Sequence, residues 1–197
     1  LKTGFNFSNT NWSSWLSYNY LGNNYFADMG FLQNVEDVYD ANRDTTFRQG
    51  YHSLFTNLAY THFAKNTSKF NRHRFSVFNS SRATPGGHHY SRFTQAEYEM
   101  MFKNRSNLKF KVNNNYIELF SDFFYSSKDS LPIASYTYNI GEIEYRSDSR
   151  KSLGFEGRLL YGSFYSGMRS SVRLGINYRT RPWGNFGLQV DYNKLEF

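Results

Sequence analysis

Five histidines are the side chains in this sequence best suited to act as a general base or a metal ligand: His52, His62, His73, His88 and His89. A Ser-His or Asp-His hydrolase needs a nucleophile, a base and an orienting group that converge at one point. Nothing in the spacing of these residue types fixes such a point. His88 and His89 follow Pro85-Gly86-Gly87, but adjacent residues of a strand project to opposite sides, which disfavours a shared metal ion. We therefore predict no catalytic residues, no metal site and no cofactor.

An acidic cluster occupies the segment 21–49 of this otherwise basic chain: Asp28, Glu36, Asp37, Asp40 and Asp44. Carboxylate oxygens bind Ca²⁺, but the spacing does not match an EF-hand loop. Long connections of this kind are often functional without holding a metal. We expect a solvated or plug-forming loop, part of which packs through its apolar residues Phe26, Met29, Phe31 and Leu32.

Basic residues interleaved with aromatic ones, as in Lys69 to Phe75, are also found in nucleic-acid-binding proteins. The chain has 23 Lys and Arg against 16 Asp and Glu, a net charge of +7. The cations are spread over several segments and offset by nearby Glu, and no stacking motif of an RNA-binding sheet is present. We expect no nucleic-acid partner.

The composition points to an unusual β-protein. The 197 residues include 20 Phe, 17 Tyr and 3 Trp but no Cys, and the mean hydropathy is -0.70. No run of 18 apolar residues exists, which excludes a membrane-spanning helix. A transmembrane β-barrel stays possible, because its strands are only about half apolar.

The clearest periodicity is two. Leu108, Phe110 and Val112 alternate with Lys109 and Lys111, and the same alternation occurs over 172–179 and 186–192. Each of these segments is predicted to be a strand with one apolar and one polar face. Weaker copies at 2–8, 12–20, 50–64, 69–82, 89–103, 135–147 and 152–164 bring the prediction to about ten strands by the same criterion.

The connections predict how these strands are arranged. Short polar turns are expected at 9–11, 65–68, 104–106, 148–151 and 181–185. Longer connections are expected between them, at 21–49, 82–88, 122–131 and 165–170. A strict alternation of short and long connections is typical of an antiparallel up-and-down transmembrane β-barrel, with tight periplasmic turns and larger outer loops. We therefore predict an all-β fold and a single domain over 1–197.

The two faces of the predicted strands differ in chemistry. An Arg facing lipid near the bilayer midplane costs about 2–4 kcal/mol, so the charged face must line the lumen. The lumen-facing charged residues are predicted to be Glu97, Glu99, Lys109, Lys111, Glu156, Arg158, Arg173 and Arg179. The lipid-facing residues are predicted to be Leu108, Phe110, Val112, Val172, Leu174, Ile176, Phe186, Leu188 and Val190. In antiparallel register, Glu97 and Glu99 should face Lys109 and Lys111 across the turn at 104–106.

Aromatic residues near the predicted strand ends suit interfacial girdles. These are Trp12, Tyr18, Tyr20, Phe120, Phe123, Phe124, Tyr125, Phe164, Tyr165 and Trp183. The first strand would begin, and the last would end, on the side of the long connections, whereas bacterial barrels normally have both termini on the other side. Leu195 and Phe197 are also out of phase with 186–192. We therefore expect a processed product or fragment, with about ten strands from a larger barrel.

Three stretches resemble the C-terminal barrel of a Bacteroidota outer-membrane family of unknown function: 16–31, 113–119 and 178–197, the last reading from Tyr178-Arg179-Thr180-Arg181-Pro182-Trp183-Gly184 to Phe197. In that family the barrel commonly follows a periplasmic module similar to family-nine carbohydrate-binding domains. The resemblance implies an outer-membrane barrel and indicates no chemistry. Both the module and the strands expected after Phe197 are absent from this sequence.

Three functions are consistent with these patterns. The first is a non-enzymatic structural or scaffold component of the bacterial outer membrane or of a larger envelope assembly. The second is a pore or transporter, whose lumen Lys109, Lys111, Arg158, Arg173 and Arg179 would bias towards anions. The third is an outer-membrane hydrolase. The expected partners are outer-membrane lipid, other envelope proteins and, only through the absent module, glycans.

Overall fold

A computed structural model describes residues 1–23, 37–40, 45–48, 50–120, 122–124, 130–148, 150–180 and 182–197. Of the residues discussed above, Phe26, Asp28, Met29, Phe31, Leu32, Glu36, Asp44 and Tyr125 lie outside these ranges. The described residues contain no helix long and apolar enough to span a membrane.

Ten antiparallel strands form one continuous sheet, as the period-two pattern predicts. They are β1 Lys2–Ser8, β2 Trp12–Leu21, β5 Tyr51–Phe63, β6 Phe70–Ala83, β7 His89–Phe102, β8 Asn107–Glu118, β11 Ser135–Arg146, β12 Leu153–Phe164, β13 Gly167–Thr180 and β14 Gly184–Glu196. The sheet order follows the chain, β1-β2-β5-β6-β7-β8-β11-β12-β13-β14. The all-β, up-and-down prediction is therefore confirmed. The sheet is open, with β1 and β14 as its edges.

Two small hairpins lie within the longest connections and were not predicted. β3 Asp37–Asp40 pairs with β4 Thr45–Arg48, and β9 Phe123–Phe124 pairs with β10 Ser130–Leu131. The first hairpin places the backbone of Asp37 and Asp40 in a strand. Both hairpins are separate from the ten-stranded sheet.

The connections depart from the predicted strict alternation. β12 and β13 are joined by only two residues, 165–166, where a longer connection over 165–170 was expected. Tyr165 adopts a positive φ of 52°, which lets the chain reverse at once, so β13 begins at Gly167. The connection 84–88 is also no longer than 64–69 on the opposite side. Only 22–50 and 119–134 are long, and both lie at the end of the sheet where the chain begins and ends.

One hairpin shows how local residue types close the tighter turns. Between β7 and β8, Arg105 has a φ of 64°, a conformation that few residues other than Gly adopt. Hydrogen bonds to Asn104 stabilise this conformation. Its side-chain oxygen accepts from the backbone N–H of Ser106 at 3.0 Å and from the Ser106 hydroxyl at 2.7 Å. This Asx-type turn holds the register of the hairpin.

The two faces of the sheet differ in exposure as well as in composition. On β5, Ser53 and Ala59 are 2% and 1% exposed, while Leu54 and Leu58 on the other face are 38% and 50% exposed. On β11, Glu142 is 5% exposed and the adjacent Ile143 is 44% exposed. In these central strands the polar face is therefore the enclosed one, and the apolar face is open.

Candidate functional site: the two faces of the sheet

The polar face carries a lattice of charges that crosses seven strands. The register places one residue of each strand side by side, in the order Arg74, Glu99, Lys109, Glu144, Arg158, Arg173 and Asp191. The predicted facing of Glu97 with Lys111 and of Glu99 with Lys109 is confirmed. All eight charged residues predicted to share a face do so. Each is separated by an odd number of positions from the residues of its strand that lie on the apolar face.

Glu142 lies at the centre of this lattice. Its carboxylate accepts hydrogen bonds from Lys111 Nζ at 2.8 Å and from Arg158 Nη2 at 2.5 Å. Lys111 Nζ also lies 3.1 Å from Glu144 Oε2. Since the Glu142 side chain is 3% exposed, its charge depends on these two cations. Glu142 and Glu144 are not among the predicted lumen-facing residues, because their convergence depends on three strands being in register.

Further ion pairs neutralise much of the positive charge. Lys109 Nζ lies 3.7 Å from Glu99 Oε1, and Arg146 Nε lies 3.7 Å from Glu156 Oε2. Arg173 pairs with Asp191 on the edge strand. Of the cations expected to bias the lumen, Arg179 faces Asn185 and has no carboxylate within ion-pair distance among the described residues. The lattice is therefore more nearly neutral than the list of Lys and Arg residues suggests.

The apolar face carries one uninterrupted row of apolar residues. A single row of nine cross-strand neighbours runs from β2 to β14 and contains only aromatic and aliphatic residues: Trp12, Tyr60, Phe75, Tyr98, Phe110, Ile143, Leu159, Val172 and Tyr192. The nine residues predicted to face lipid all lie on this face. Leu174, Leu188 and Val190 are each more than half exposed.

The apolar surface runs obliquely across the strands. On β2 its residues extend from Trp12 towards the end with the long connections, through Leu16 and Tyr18. On β14 they extend from Tyr192 in the opposite direction, to Phe186. In the central strands, polar residues replace the apolar ones between this row and the end with the long connections. There the side chain of Asn79 donates a hydrogen bond to Thr94, and that of Asn114 donates one to Asn139. We call this oblique apolar surface the band. Its centre shifts along the strand direction from β2 to β14.

Several aromatic residues of the predicted girdle lie on the apolar face. These are Trp12, Tyr18 and Tyr20 of β2, while Trp183, between β13 and β14, is 85% exposed. Phe164 was expected there too, but the register places it on the polar face, where its ring lies 5.5 Å from that of Tyr138. Phe164 lies an even number of residues from Arg158 on the same strand, so the two side chains share the polar face.

The rings of Phe164 and Tyr138 lie where β11 and β12 are not paired. β11 and β12 pair only from Ile140 and Gly162 onwards. Beyond that point the Ser163 hydroxyl lies 2.9 Å from the Asn139 N–H and 3.2 Å from the Asn139 carbonyl, in place of backbone partners. The rings of Tyr136 and Tyr165, 5.3 Å apart, pack at the same end.

The histidines do not converge on a catalytic arrangement. His52 Nδ1 lies 2.6 Å from the Tyr18 hydroxyl, and His73 Nδ1 lies 2.9 Å from the Tyr98 hydroxyl. His89 Nε2 lies 2.9 Å from Ser81 Oγ, a Ser-His contact that the sequence analysis did not find. Among the described residues no carboxylate bonds His89 as an orienting group, and no cluster of three metal-ligating side chains is present.

The pKa of the Asp148 carboxyl, which lies between β11 and β12, is shifted for a clear reason. In the 147–152 hairpin the Arg150 guanidinium donates to both oxygens of the Asp148 carboxylate, at 3.0 and 2.8 Å. The pKa of Asp148 is thereby lowered to about 2. This ion pair holds the turn between β11 and β12.

The chain matches no protein-family model, no curated protein and no solved structure.

Proposed function

We propose that these ten strands form part of the wall of a β-barrel in a bacterial outer membrane, with the apolar face against lipid and the polar face towards a wet interior. Its role is structural and non-enzymatic, as a component of the envelope or of a larger membrane assembly. The resemblance to a Bacteroidota outer-membrane family is consistent with this role.

The observation that carries the proposal is the exposed apolar face. Soluble monomers rarely expose contiguous apolar patches larger than a few hundred Å². Here a row of nine apolar residues crosses nine strands, and Leu159, Leu174 and Leu188 within or beside it are more than half exposed. No second layer of the described chain covers them. Lipid is a solvent that such a face fits, because the backbone groups beneath it are already paired within the sheet.

The oblique course of the band supports the same conclusion. Its centre shifts by roughly seven residues over eight strand steps, which at about 3.3 Å per residue and about 4.8 Å between strands corresponds to a tilt of about 30°. Strands of transmembrane barrels tilt by about 35–45°. A flat band perpendicular to the strands would not fit a barrel.

The burial of the polar face supports an interior position. Glu99 and Glu142 are less than a tenth exposed although no layer of the sheet covers them. Side chains converge in this way on the concave side of a curved sheet. Within lipid the free edges of β1 and β14 would each leave backbone groups unpaired, at several kcal/mol per group. We therefore propose that additional strands complete the barrel.

The three tryptophans provide a direct test. In the background Trp183→Phe, a Trp15→Phe variant keeps only Trp12, on the apolar face, and a Trp12→Phe variant keeps only Trp15, on the polar face three residues away. In vesicles of lipids brominated on the acyl chains, Trp12 fluorescence should be strongly quenched and Trp15 fluorescence should be nearly unchanged. Equal quenching of the two, or quenching of neither, would refute the proposed orientation.

A pore is the second candidate, and the charge lattice of the polar face favours it. A row of mixed positive and negative charges is a suitable lining for a hydrated path. Planar-bilayer recordings of the full-length protein, with the strands that complete the barrel, test this role. Ion-paired cations should give weak anion selectivity, while the absence of any conductance would reject the pore.

A further inference from the structure

A patch without charge lies on the polar face beside the charge lattice. It consists of two neighbouring rows across β2, β5, β6, β7 and β8: Trp15, Asn57, Phe78, Gln95 and Asn113 in the first, and Ser17, Phe55, Ser80, Phe93 and Asn115 in the second. We call these ten residues the aromatic-amide patch. Aromatic rings on a polar face are unexpected, because alternation gives every strand an apolar face for its rings.

The rings of the patch form a connected surface. The centroid of Phe78 lies 6.1 Å from that of Trp15 and 6.0 Å from that of Phe93. Trp15 is 39% exposed. Phe78, Asn57 and Gln95 line a hollow of about 350 Å³ that continues to the charged residues Arg74 and Glu97. Five strands spaced by about 4.8 Å give the patch a length of about 19 Å, enough for an extended ligand of several rings.

The amides between the rings have hydrogen-bonding capacity to spare. In the first row an amide stands between Trp15 and Phe78, and two more follow Phe78. The side-chain oxygen of Asn113 is buried and accepts no hydrogen bond from the described residues. The amides of Asn79 and Asn114 on the opposite face are, by contrast, paired. A buried acceptor without a partner is costly, and a rotation of the Asn113 amide that exposed its oxygen to a ligand hydroxyl would satisfy it.

We propose that the aromatic-amide patch binds a neutral saccharide chain. The C–H groups on the face of a sugar ring are weakly positive and are attracted to the negative face of an aromatic ring. The ring hydroxyls point outward around the same sugar, where Asn57, Gln95 and Asn113 donate and accept hydrogen bonds. Alternating rings and amides across adjacent strands match a ligand that repeats apolar faces and hydroxyl edges.

The charges around the patch favour a neutral ligand over a nucleic acid. No Lys or Arg lies within the ten residues, and the two cations that line the hollow, Arg74 and Lys109, are accompanied there by Glu97 and Glu99. A nucleic-acid backbone needs an excess of cations along its path. The inference rests on the proposed function in one respect, namely that the polar face is the wet one.

The experiment uses Trp15 as the reporter, in the full chain carrying Trp12→Phe and Trp183→Phe and folded in a detergent without sugar headgroups. Maltohexaose, laminarihexaose and mannohexaose are titrated separately while Trp15 fluorescence is recorded. We expect saturable binding of at least one of them. Phe78→Ala should weaken it about tenfold through the loss of one ring contact. Phe78→Trp should retain binding, and the control Phe75→Ala, on the opposite face of the same strand, should change it less than twofold.

Two results would overturn the proposal: no saturable signal with any of the three sugars, or equal weakening by Phe78→Ala and Phe75→Ala. Lipid quenching of Trp12 in the same set of variants, with Trp12 restored, reports whether each one has inserted. A chain that inserts but does not bind sugar therefore rejects the saccharide site alone, whereas failure of insertion rejects the proposed function.

Discussion

The two faces of this sheet consist of alternate residues of the same ten strands. They differ in whether the side chains find their contacts within the chain. The polar face is satisfied within the chain, since Glu142 binds cations from two neighbouring strands and is almost fully buried. The apolar face is not, since Leu174 and Leu188 are 56% and 67% exposed and no layer of the described residues covers them. The comparison supports the proposal that lipid contacts one side of the sheet only.

Introducing a charge on each face in turn should give the largest contrast. Leu174→Arg places a cation against lipid and should lower the free energy of unfolding in vesicles by about 2–4 kcal/mol. Ser171→Arg, three residues away on the polar face, should cost far less because water and carboxylates are available there. Denaturant titration of both variants in vesicles measures the difference. Similar losses would mean that the faces do not differ in solvent.

Removing the central carboxylate tests how far the polar face depends on its own pairing. Glu142→Gln removes a carboxylate charge that is 3% exposed, leaving Lys111 with Glu144 alone and Arg158 without its ion pair, and should cost about 1–3 kcal/mol. The matched control is Glu196→Gln at the exposed end of β14, where loss of the solvent-screened pair with Lys194 should have little effect on stability. Equal effects, measured by the same titration, would show that the lattice is an ordinary solvated surface.

The smallest effect is expected outside both faces, at Asp148. Because the pKa of this carboxyl is lowered to about 2 in the folded chain, against an ordinary value near 3.8, its stabilising contribution is complete above about pH 5. It should be lost as the pH falls through 2, and should be nearly gone at about pH 1. Asp148→Asn should therefore be less stable than the parent at pH 7 and nearly as stable as the parent at about pH 1. A difference in stability that is the same at both pH values would assign the effect to something other than this ionisation.

Local alternation was sufficient to predict the ten strands and the facing of Glu97 with Lys111. It succeeded because a period of two determines which residues share a face, and because the 103–106 turn is short enough to fix the register of its hairpin. The phase of Leu195 was also read correctly, since it lies opposite Arg169 on the polar face. Closure into a barrel stays a proposal, because pairing of the sheet edges is not a local property.

The features that were missed depend on contacts between distant strands or on single dihedral angles. The 165–166 reversal requires a positive φ at Tyr165, a residue that gives no turn signal. The ion pairs of Glu142 and the aromatic-amide patch exist only once several strands are in register. Phe164 was assigned to the girdle from its position near a strand end, whereas its phase places it on the polar face.

Because the chain contains no Cys, single cysteines report on each face without interference. The most direct measurement compares four variants of β13, Arg173→Cys, Leu174→Cys, Ile176→Cys and Asn177→Cys, in vesicles treated with a charged, water-soluble thiol reagent. Cysteines at 173 and 177 should react rapidly, and those at 174 and 176 should react slowly until detergent is added. Uniform reactivity along the four positions, or the reverse alternation, would contradict a lipid-facing apolar surface.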